Sequence, residues 1–401
     1  MALVGTFGLQ PKATVAARAV PIALELQRRG KQVRVFVPPW DDPDSAGLTT
    51  EARGVPVEQV SLSGGPLAVL ARLARAVARF QPDLIHAFKP IGFSAGVAQL
   101  NVVRTVLPGR RLPLVVDGDD WEGGGGWNER RPFPGWARAA GSWQERWCYC
   151  HADAVTVASE ELRSIVWSLG VQPSRVFAVP NGLTAPLAHP KPEEVEEVRR
   201  RHDLTDQTIL LYTRFAEFAP SWPVAFMAAL RRSSPEVGLL VVGRGLAGEE
   251  EKLAAEARSA GLAQALRYVG WVQPDRLPSY LAAAHVAVVP FEDTLVARTK
   301  SSVKLLELMS LGLPIVASAV GENVRYLDYG RAGVLVPPPL DAEQCASEVQ
   351  SLLSDAPRRE RLGQAAAQRL REEYLWSNLA NQVEDAYRRA VSSRGIGAER
   401  E

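Results

Sequence analysis

Short apolar runs alternate with amphipathic stretches along nearly the whole chain. The runs Ala2–Thr6, Val33–Val37, Val57–Val60, Leu84–Ala87, Leu114–Asp117, Ala154–Ala158 and Val176–Val179 predict strands. They are short and rich in Val, Leu and Ile, as strands buried on both faces are. Between them, stretches such as Thr14–Arg29 and Pro66–Phe80 carry helical spacing. Pro180-Asn-Gly-Leu183 closes this series in a turn. From Thr184 to about Gln207 the chain is rich in Pro and charge, with one helical pattern at Glu193–His202 and no strand signal. A second series follows, with strands expected at Ile209–Thr213, Gly238–Val242, Arg267–Gly270, Val286–Pro290, Pro314–Ala317 and Val334–Val336. Helical patterns lie between them, including Val224–Arg232, Glu249–Ala260, Leu277–Ala284 and Val303–Leu311. Three more follow at Ala342–Leu353, Pro357–Glu373 and Asn378–Val391.

Strand–helix alternation repeated twice predicts an α/β protein with two doubly wound parallel-sheet, Rossmann-like domains. The expected division is 1–185 for the first domain, 186–206 for a linker and 207–374 for the second. Residues 375–401 would form a last helix and then a polar tail. Open sheets of this kind bind ligands beyond the carboxyl ends of their strands, so two of them imply a cleft.

Composition narrows the class of partner. The length of 401 residues exceeds one ordinary core, and 46% apolar with 23% charged residues is normal for a globular protein. A net charge of +1 supplies no global field toward nucleic acid. Three cysteines cannot build a disulfide framework. The start lacks a basic region ahead of a long apolar run, and no apolar run reaches about 18 residues. The expectation is a cytoplasmic protein without a membrane span.

The most informative stretch is Ser301–Ser318, which reads as a helix, a Gly-Leu-Pro break and a buried strand. Lys304 and Glu307 share one face of that helix, because residues three apart are neighbours there. A cation and a carboxylate near a helix start suit a phosphate and a ribose, and Ser302 can cap the helix or donate to a phosphate. This stretch resembles the nucleotide-sugar signature of GT-B glycosyltransferases, in particular family 4. That signature usually carries two glutamates. Glu307 matches the second, and Thr299 stands where the first would be.

The resemblance covers nearly the whole chain and is strongest from Ile209 to Val336. It implies that the last helix, from Trp376 onward, crosses back to the first domain. It also implies that Leu210–Phe215 is the strand and loop bearing the diphosphate arginine, Arg214. The lysine that normally follows falls on Ala219, so Arg298, Lys300 and Lys304 stand as replacements. Val241-Val-Gly-Arg-Gly245 matches the turn under the donor nucleotide, with Gly243 and Gly245 permitting close backbone approach. Gly270-Trp-Val-Gln273 resembles the loop that meets the base, through Trp271 or as packing alone. Gly5-Thr-Phe-Gly8 resembles the glycine loop of the first domain, with Gly8 on the donor side and Lys12 and Thr14 close by.

The acceptor side is less usual. Asp117, Asp119, Asp120 and Glu122 cluster at a strand's carboxyl end, ahead of four glycines, and Trp121 lies among them. Relatives often carry a histidine near the reacting sugar at this place. Asp119 or Asp120 would orient or deprotonate an acceptor hydroxyl. Asp117, Trp121, Glu122 and His86 would line the acceptor side, a satisfied core histidine being the alternative for His86. Five of the ten tryptophans lie between Trp121 and Trp147, as sugar platforms or as helix packing. Cys148-Tyr-Cys150-His151 lacks a second ligand pair for zinc. The basic amphipathic stretch Leu67–Phe80 offers either a weak membrane contact or a solvated arginine face.

The resemblance therefore implies a retaining hexosyltransferase, taking a nucleotide-diphosphate sugar to a glycan, lipid-linked or small-molecule acceptor. Neither a resident metal nor a cofactor is expected, and nucleic acid is not an expected partner. A nucleotide-sugar epimerase and a weakly catalytic sugar-nucleotide-binding protein remain alternatives. The sugar, the base, the acceptor and the oligomeric state are not written in the residues.

Overall fold

The structure, a computed structural model, describes residues 1–10, 14–105, 111–130, 132–245 and 248–395. The chain divides into two compact units. One comprises 1–184, 299–301 and 376–401, and the other 185–298 and 302–375.

The first unit is built on strands β1 (Ala2–Val4), β2 (Arg34–Val37), β3 (Thr49–Ala52), β4 (Val55–Gln59), β5 (Ile85–Phe88), β6 (Leu114–Gly118), β7 (Ala154–Val157) and β8 (Val176–Ala178). Among the described residues they form one sheet in the order β3-β4-β2-β1-β5-β6-β7-β8. Every pairing is parallel except β3 with β4. The central strands are buried along their whole length, which explains their continuous apolar runs. Strand β3 was not foreseen. Its residues Thr-Thr-Glu-Ala alternate between exposed and half-buried, so no apolar run marks it. Arg53 and Gly54, at φ of 54° and 82°, form the tight turn that pairs it with β4.

The stretch expected as one helix at Thr14–Arg29 begins with a π-turn, Val15–Ala19, before the α-helix Val20–Arg28. Val20 donates to Val15, five residues back. Pro21 has no N–H to continue the ordinary ladder at this point. Arg18, inside that turn, is 1% exposed.

The final helix, Trp376–Ser392, belongs to the first unit. Trp376, Leu379, Val383, Ala386, Tyr387 and Ala390 follow helical spacing and enter the same core as β1, β2 and helix Val20–Arg28. Trp376 N–H donates to Leu183 O at 2.9 Å, and Arg29 pairs with Glu384 at 2.7 Å. The end of the expected tail, 396–401, lies outside the described residues.

The second unit carries β9 (Thr208–Tyr212), β10 (Gly238–Val242), β11 (Leu266–Gly270), β12 (Val286–Val289), β13 (Ile315–Ser318) and β14 (Val334–Val336). All its described pairings are parallel, in the order β11-β10-β9-β12-β13-β14. Two α/β units with parallel sheets make this a GT-B fold. The stretch read as a linker, 186–206, is integral to the second unit. Its helix Pro192–Arg201 buries Val198. Arg199 donates to Ala283 O at 2.8 Å and to Thr205 O at 2.9 Å, and Leu187 N–H to Ser310 Oγ at 3.3 Å. Pro and charge made this segment look like a connector. Its backbone and arginine bonds are what fix it.

Candidate functional site

In the first unit, the register Phe88↔Asp117 between β5 and β6 sets their carboxyl ends side by side. Asp117 is fully buried. Arg18 grips it with two bonds, Nε–Oδ1 at 2.6 Å and Nη2–Oδ2 at 2.8 Å. Thr156 Oγ1 donates to Oδ2 at 2.5 Å. His86 Nε2 lies 3.2 Å from the same Thr156 oxygen, and Nδ1 lies 2.9 Å from Tyr387 Oη. Thr156 has spent its one hydrogen on Asp117, so His86 must donate from Nε2 and accept from Tyr387 at Nδ1. Burial, helped by Arg18, drives the imidazole pKa well below its ordinary value, and His86 is neutral. His86 and Asp117 were expected on the acceptor side. Both are at 0% exposure and serve an interior network instead.

Trp121 and Glu122 also turn inward. Trp121 is 7% exposed and its Nε1 donates to Gly124 O at 2.9 Å, so it is not an open sugar platform. A Cβ on Gly123 would lie 2.2 Å from the Trp121 ring, which explains part of the glycine run as packing room. Glu122, at 0% exposure, pairs with Lys89 Nζ at 2.6 Å. Asp119 Oδ2 accepts from Thr14 Oγ1 at 2.8 Å, and Lys89 Nζ lies 3.4 Å from Oδ1. Asp120 Oδ2 stands 3.7 Å from the same ammonium. The side chains of Asp119 and Asp120 retain 11% and 24% exposure. Burial raises the Asp120 pKa to about 6; Asp119 and Glu122 add to the rise, while Lys89 and Lys300 oppose it.

Two participants escaped sequence reasoning. Lys89 lies one residue beyond β5, and nothing in its local sequence marks it as the partner of three acids. Burial alone would lower its pKa, but Asp119, Glu122 and Asp120 outweigh burial and raise it. Glu145, on helix Gly135–His151, accepts from Glu122 N–H at 3.2 Å and from Tyr149 Oη at 3.4 Å. Burial, with Glu122 beside it, pushes its carboxyl well above the usual range. A carboxylate beyond the strand-end motif gave no signal in the sequence, because only packing brings that helix under the loop.

Gly8 also lies in the first unit. Its N–H donates to Asp41 Oδ1 at 2.7 Å, and a Cβ would meet Pro39 at 3.2 Å. Local packing therefore accounts for this glycine, and its amide is committed to Asp41 rather than to a donor. Lys12 lies outside the described residues. Lys300 belongs to the segment grouped with this unit. There Asn181 N–H donates to Ser301 Oγ and Asn181 Nδ2 to Ser301 O, both at 2.8 Å.

In the second unit, helix Val303–Ser310 starts at Ser302, whose side chain accepts from Leu305 N–H. Lys304 and Glu307 occupy one face of it. Tyr212, at the end of β9, hydrogen-bonds Glu307, and Lys304 Nζ sits 5.3 Å from the Tyr212 ring centroid. Burial raises the Glu307 pKa, while Tyr212 and Lys304 hold it back. Tyr212, Thr213, Phe218, Phe291, Ser302 and Lys304 line a small cavity here.

Arg214 is exposed just beyond β9, and Trp271 is 62% exposed just beyond β11. Gly243, at φ 126°, has no room for a side chain: a Cβ would lie 1.8 Å from Thr213 O. Gly245 N–H is held by Glu250 Oε2 at 3.1 Å. Arg298, offered by the sequence as a stand-in for the absent lysine, shares its charge with Asp293 through two bonds of 2.6 and 2.8 Å. Thr299 is fully buried.

Comparison with known proteins agrees with this arrangement. Residues 206–355 match the family described as Glycosyl transferases group 1, and residues 14–182 match the Glycosyl transferase 4-like domain. The chain belongs to the group 1 glycosyl transferases. It is 30% identical over 267 residues to alpha-maltose-1-phosphate synthase of Mycolicibacterium smegmatis, covering 62% of this chain and 66% of that one. It is 25% identical over 391 residues to phosphatidyl-myo-inositol mannosyltransferase of Mycobacterium leprae, with 94% of each chain covered. The fold matches Anabaena HepE, solved in complex with UDP and glucose, at a TM-score of 0.72 and 17% identity, over 96% of this chain and 99% of that one. The chain spans 66% and 54% of the length of two curated relatives, about half of another, and 94% of the phosphatidyl-myo-inositol mannosyltransferase.

Proposed function

We propose that this protein is a retaining hexosyltransferase that moves a sugar from a nucleotide-diphosphate donor to a hydroxyl acceptor. The observation that carries the reading is the Lys304–Glu307 face of helix Val303–Ser310, braced by Tyr212 and begun at Ser302. Glu307 would accept from the ribose hydroxyls. Lys304 and Arg214, with Lys300, would oppose the charge that develops on the leaving diphosphate, the main lever of such chemistry. Gly243 keeps the turn after β10 bare for close approach. Asp120, the more exposed carboxylate of its cluster, would meet the acceptor hydroxyl, and Asp119 would support it. The reading includes no resident metal, and the carboxylates of Asp119, Asp120 and Glu122 face the Lys89 ammonium.

The names of relatives bear on the substrates. HepE was solved with UDP and glucose, which favours a UDP-sugar as the first donor to try. The mannosyltransferase name includes a phosphatidylinositol, which favours testing lipid-linked and cyclitol acceptors. No described helix is long and apolar enough to cross a membrane. A cytoplasmic protein with peripheral contact to the inner membrane surface fits a lipid-linked acceptor.

A thermal-shift screen with UDP, GDP, ADP and TDP identifies the base, since a ligand of the folded state raises its stability. Turnover is then measured with the matching nucleotide sugars. Glu307→Gln should weaken binding of the preferred nucleotide at least about tenfold, the loss of one good charge-assisted bond. Unchanged nucleotide affinity in that variant would sink the assignment. Binding without transfer to any acceptor would favour a sugar-nucleotide-binding protein instead, a reading to which buried Thr299 and the Asp293-bound Arg298 lend weight.

A further inference from the structure

Lys89 stands one residue beyond β5, at φ 53°, a left-handed backbone that residues other than glycine seldom adopt. Two bonds hold it there. Its N–H donates to Asp117 O at 2.9 Å, and its carbonyl accepts from Ser94 Oγ at 2.6 Å. The side chain is 4% exposed and its ammonium is shared by three carboxylates. Glu122 is nearest at 2.6 Å, Asp119 follows at 3.4 Å and Asp120 at 3.7 Å. Their exposure rises in the same order, 0%, 11% and 24%. A buried cation is costly unless paired, and a strained backbone persists only where its surroundings enforce it. Both conditions meet at this residue. On the far side of the loop, Glu145 accepts from Glu122 N–H and fixes the backbone between the carboxylates.

We propose that Lys89 is the positioning residue of the acceptor side: its buried ammonium draws Glu122 and Asp119 inward and leaves the Asp120 carboxylate presented for an acceptor hydroxyl. The proposal rests on the reading of Asp120 given above and deepens it. It assigns Lys89 no contact with substrate. The charged groups that surround Asp120 come from several elements. Among the described residues they are Lys89 after β5, Asp119 and Glu122 beyond β6, and Lys300; Asp117 and Arg18 act on Asp119, and Glu145 on Glu122. Among the described residues Lys89 is the cation paired with all three carboxylates, so its removal lets their mutual repulsion favour the protonated form of Asp120. The carboxylate would then be lost at higher pH than in the parent, where the transition lies at about 6.

The test is the pH profile of kcat/KM for the acceptor in the full chain, comparing the parent with K89M and K89R. The donor is the nucleotide sugar selected by the thermal-shift screen. In K89M the acidic limb should move up by about one unit or more, the usual reach of a nearby opposite charge. Acceptor KM should rise about tenfold, with donor KM within about twofold of the parent. K89R keeps the charge and should leave the limb in place. If K89M does not fold, K89M/E122Q removes the closest acid as well, and its limb is compared with that of E122Q alone. An unmoved limb and unchanged acceptor KM in a folded variant overturn the proposal. D120N separates the two layers: full activity there overturns the reading of Asp120 and the proposal with it. Loss of activity in D120N beside an unmoved limb in K89M overturns only the role of Lys89.

Discussion

The Arg18–Asp117 pair allows a quantitative test of what the strand-end aspartate does. Both side chains are essentially inaccessible, at 1% and 0% exposure. Two short bonds join them, Thr156 adds a third to the carboxylate, and Asn181 accepts from Arg18 Nη1 at 3.2 Å. Asp117→Asn keeps the shape and removes the charge, leaving a guanidinium buried beside Asn181 and 5.8 Å from the Trp376 ring centroid. Breaking a buried pair from one side costs about 3–5 kcal/mol, because the remaining buried charge loses its nearest partner. At about 1.4 kcal/mol per tenfold change, the folded-to-unfolded ratio falls by roughly two to four orders of magnitude. Arg18→Met should cost a similar amount. The double variant should recover much of the loss, because no buried charge is then left alone. Denaturant unfolding followed by circular dichroism, with the midpoint and slope fitted for each variant, measures the cycle. If Asp117→Asn unfolds at the parent's midpoint while turnover disappears, the interior role is wrong and the original acceptor-side expectation returns.

Two further outcomes follow from the geometry. Gly243→Ala should cost more than about 2 kcal/mol and weaken nucleotide binding, since both the φ of 126° and the nearby Thr213 carbonyl exclude a side chain; equilibrium unfolding and nucleotide titration would expose the error if neither changes. His86 is held neutral when folded but takes a proton when unfolded, so the unfolded state binds more protons at acid pH. Its contribution to stability is therefore lost as pH falls below about 6.5, with a slope approaching about 1.4 kcal/mol per pH unit. A pH series of unfolding curves for the parent and His86→Asn should show that difference in slope, and parallel curves would refute it.

The proposed donor side was the more legible in the sequence because its residues are local. Ser302, Lys304 and Glu307 lie within six residues, and helical geometry alone puts the last two on one face. The proposed acceptor side was legible only as a set of acids. Sequence could not rank Asp117, Asp119, Asp120 and Glu122, because their difference lies in what each one faces. Arg18, Thr156 and Lys89 come from separate strands and turns, and the sheet order decides that they meet. His86 shows the same limit, since its partners Thr156 and Tyr387 are 70 and 301 residues away.

By itself, then, the sequence determined the two α/β series, the parallel strands and the pairing of Lys304 with Glu307 on one helix face. Each of these follows from apolar periodicity or from spacing within a single element. The tertiary structure alone decided that residues 186–206 fold with the second unit and which partners the last helix meets in the first core. It also decided which carboxylates of the acidic loop are sealed inside and which keep contact with solvent. Burial and charge pairing are properties of the space around a side chain, and here that space is assembled from segments far apart in the chain.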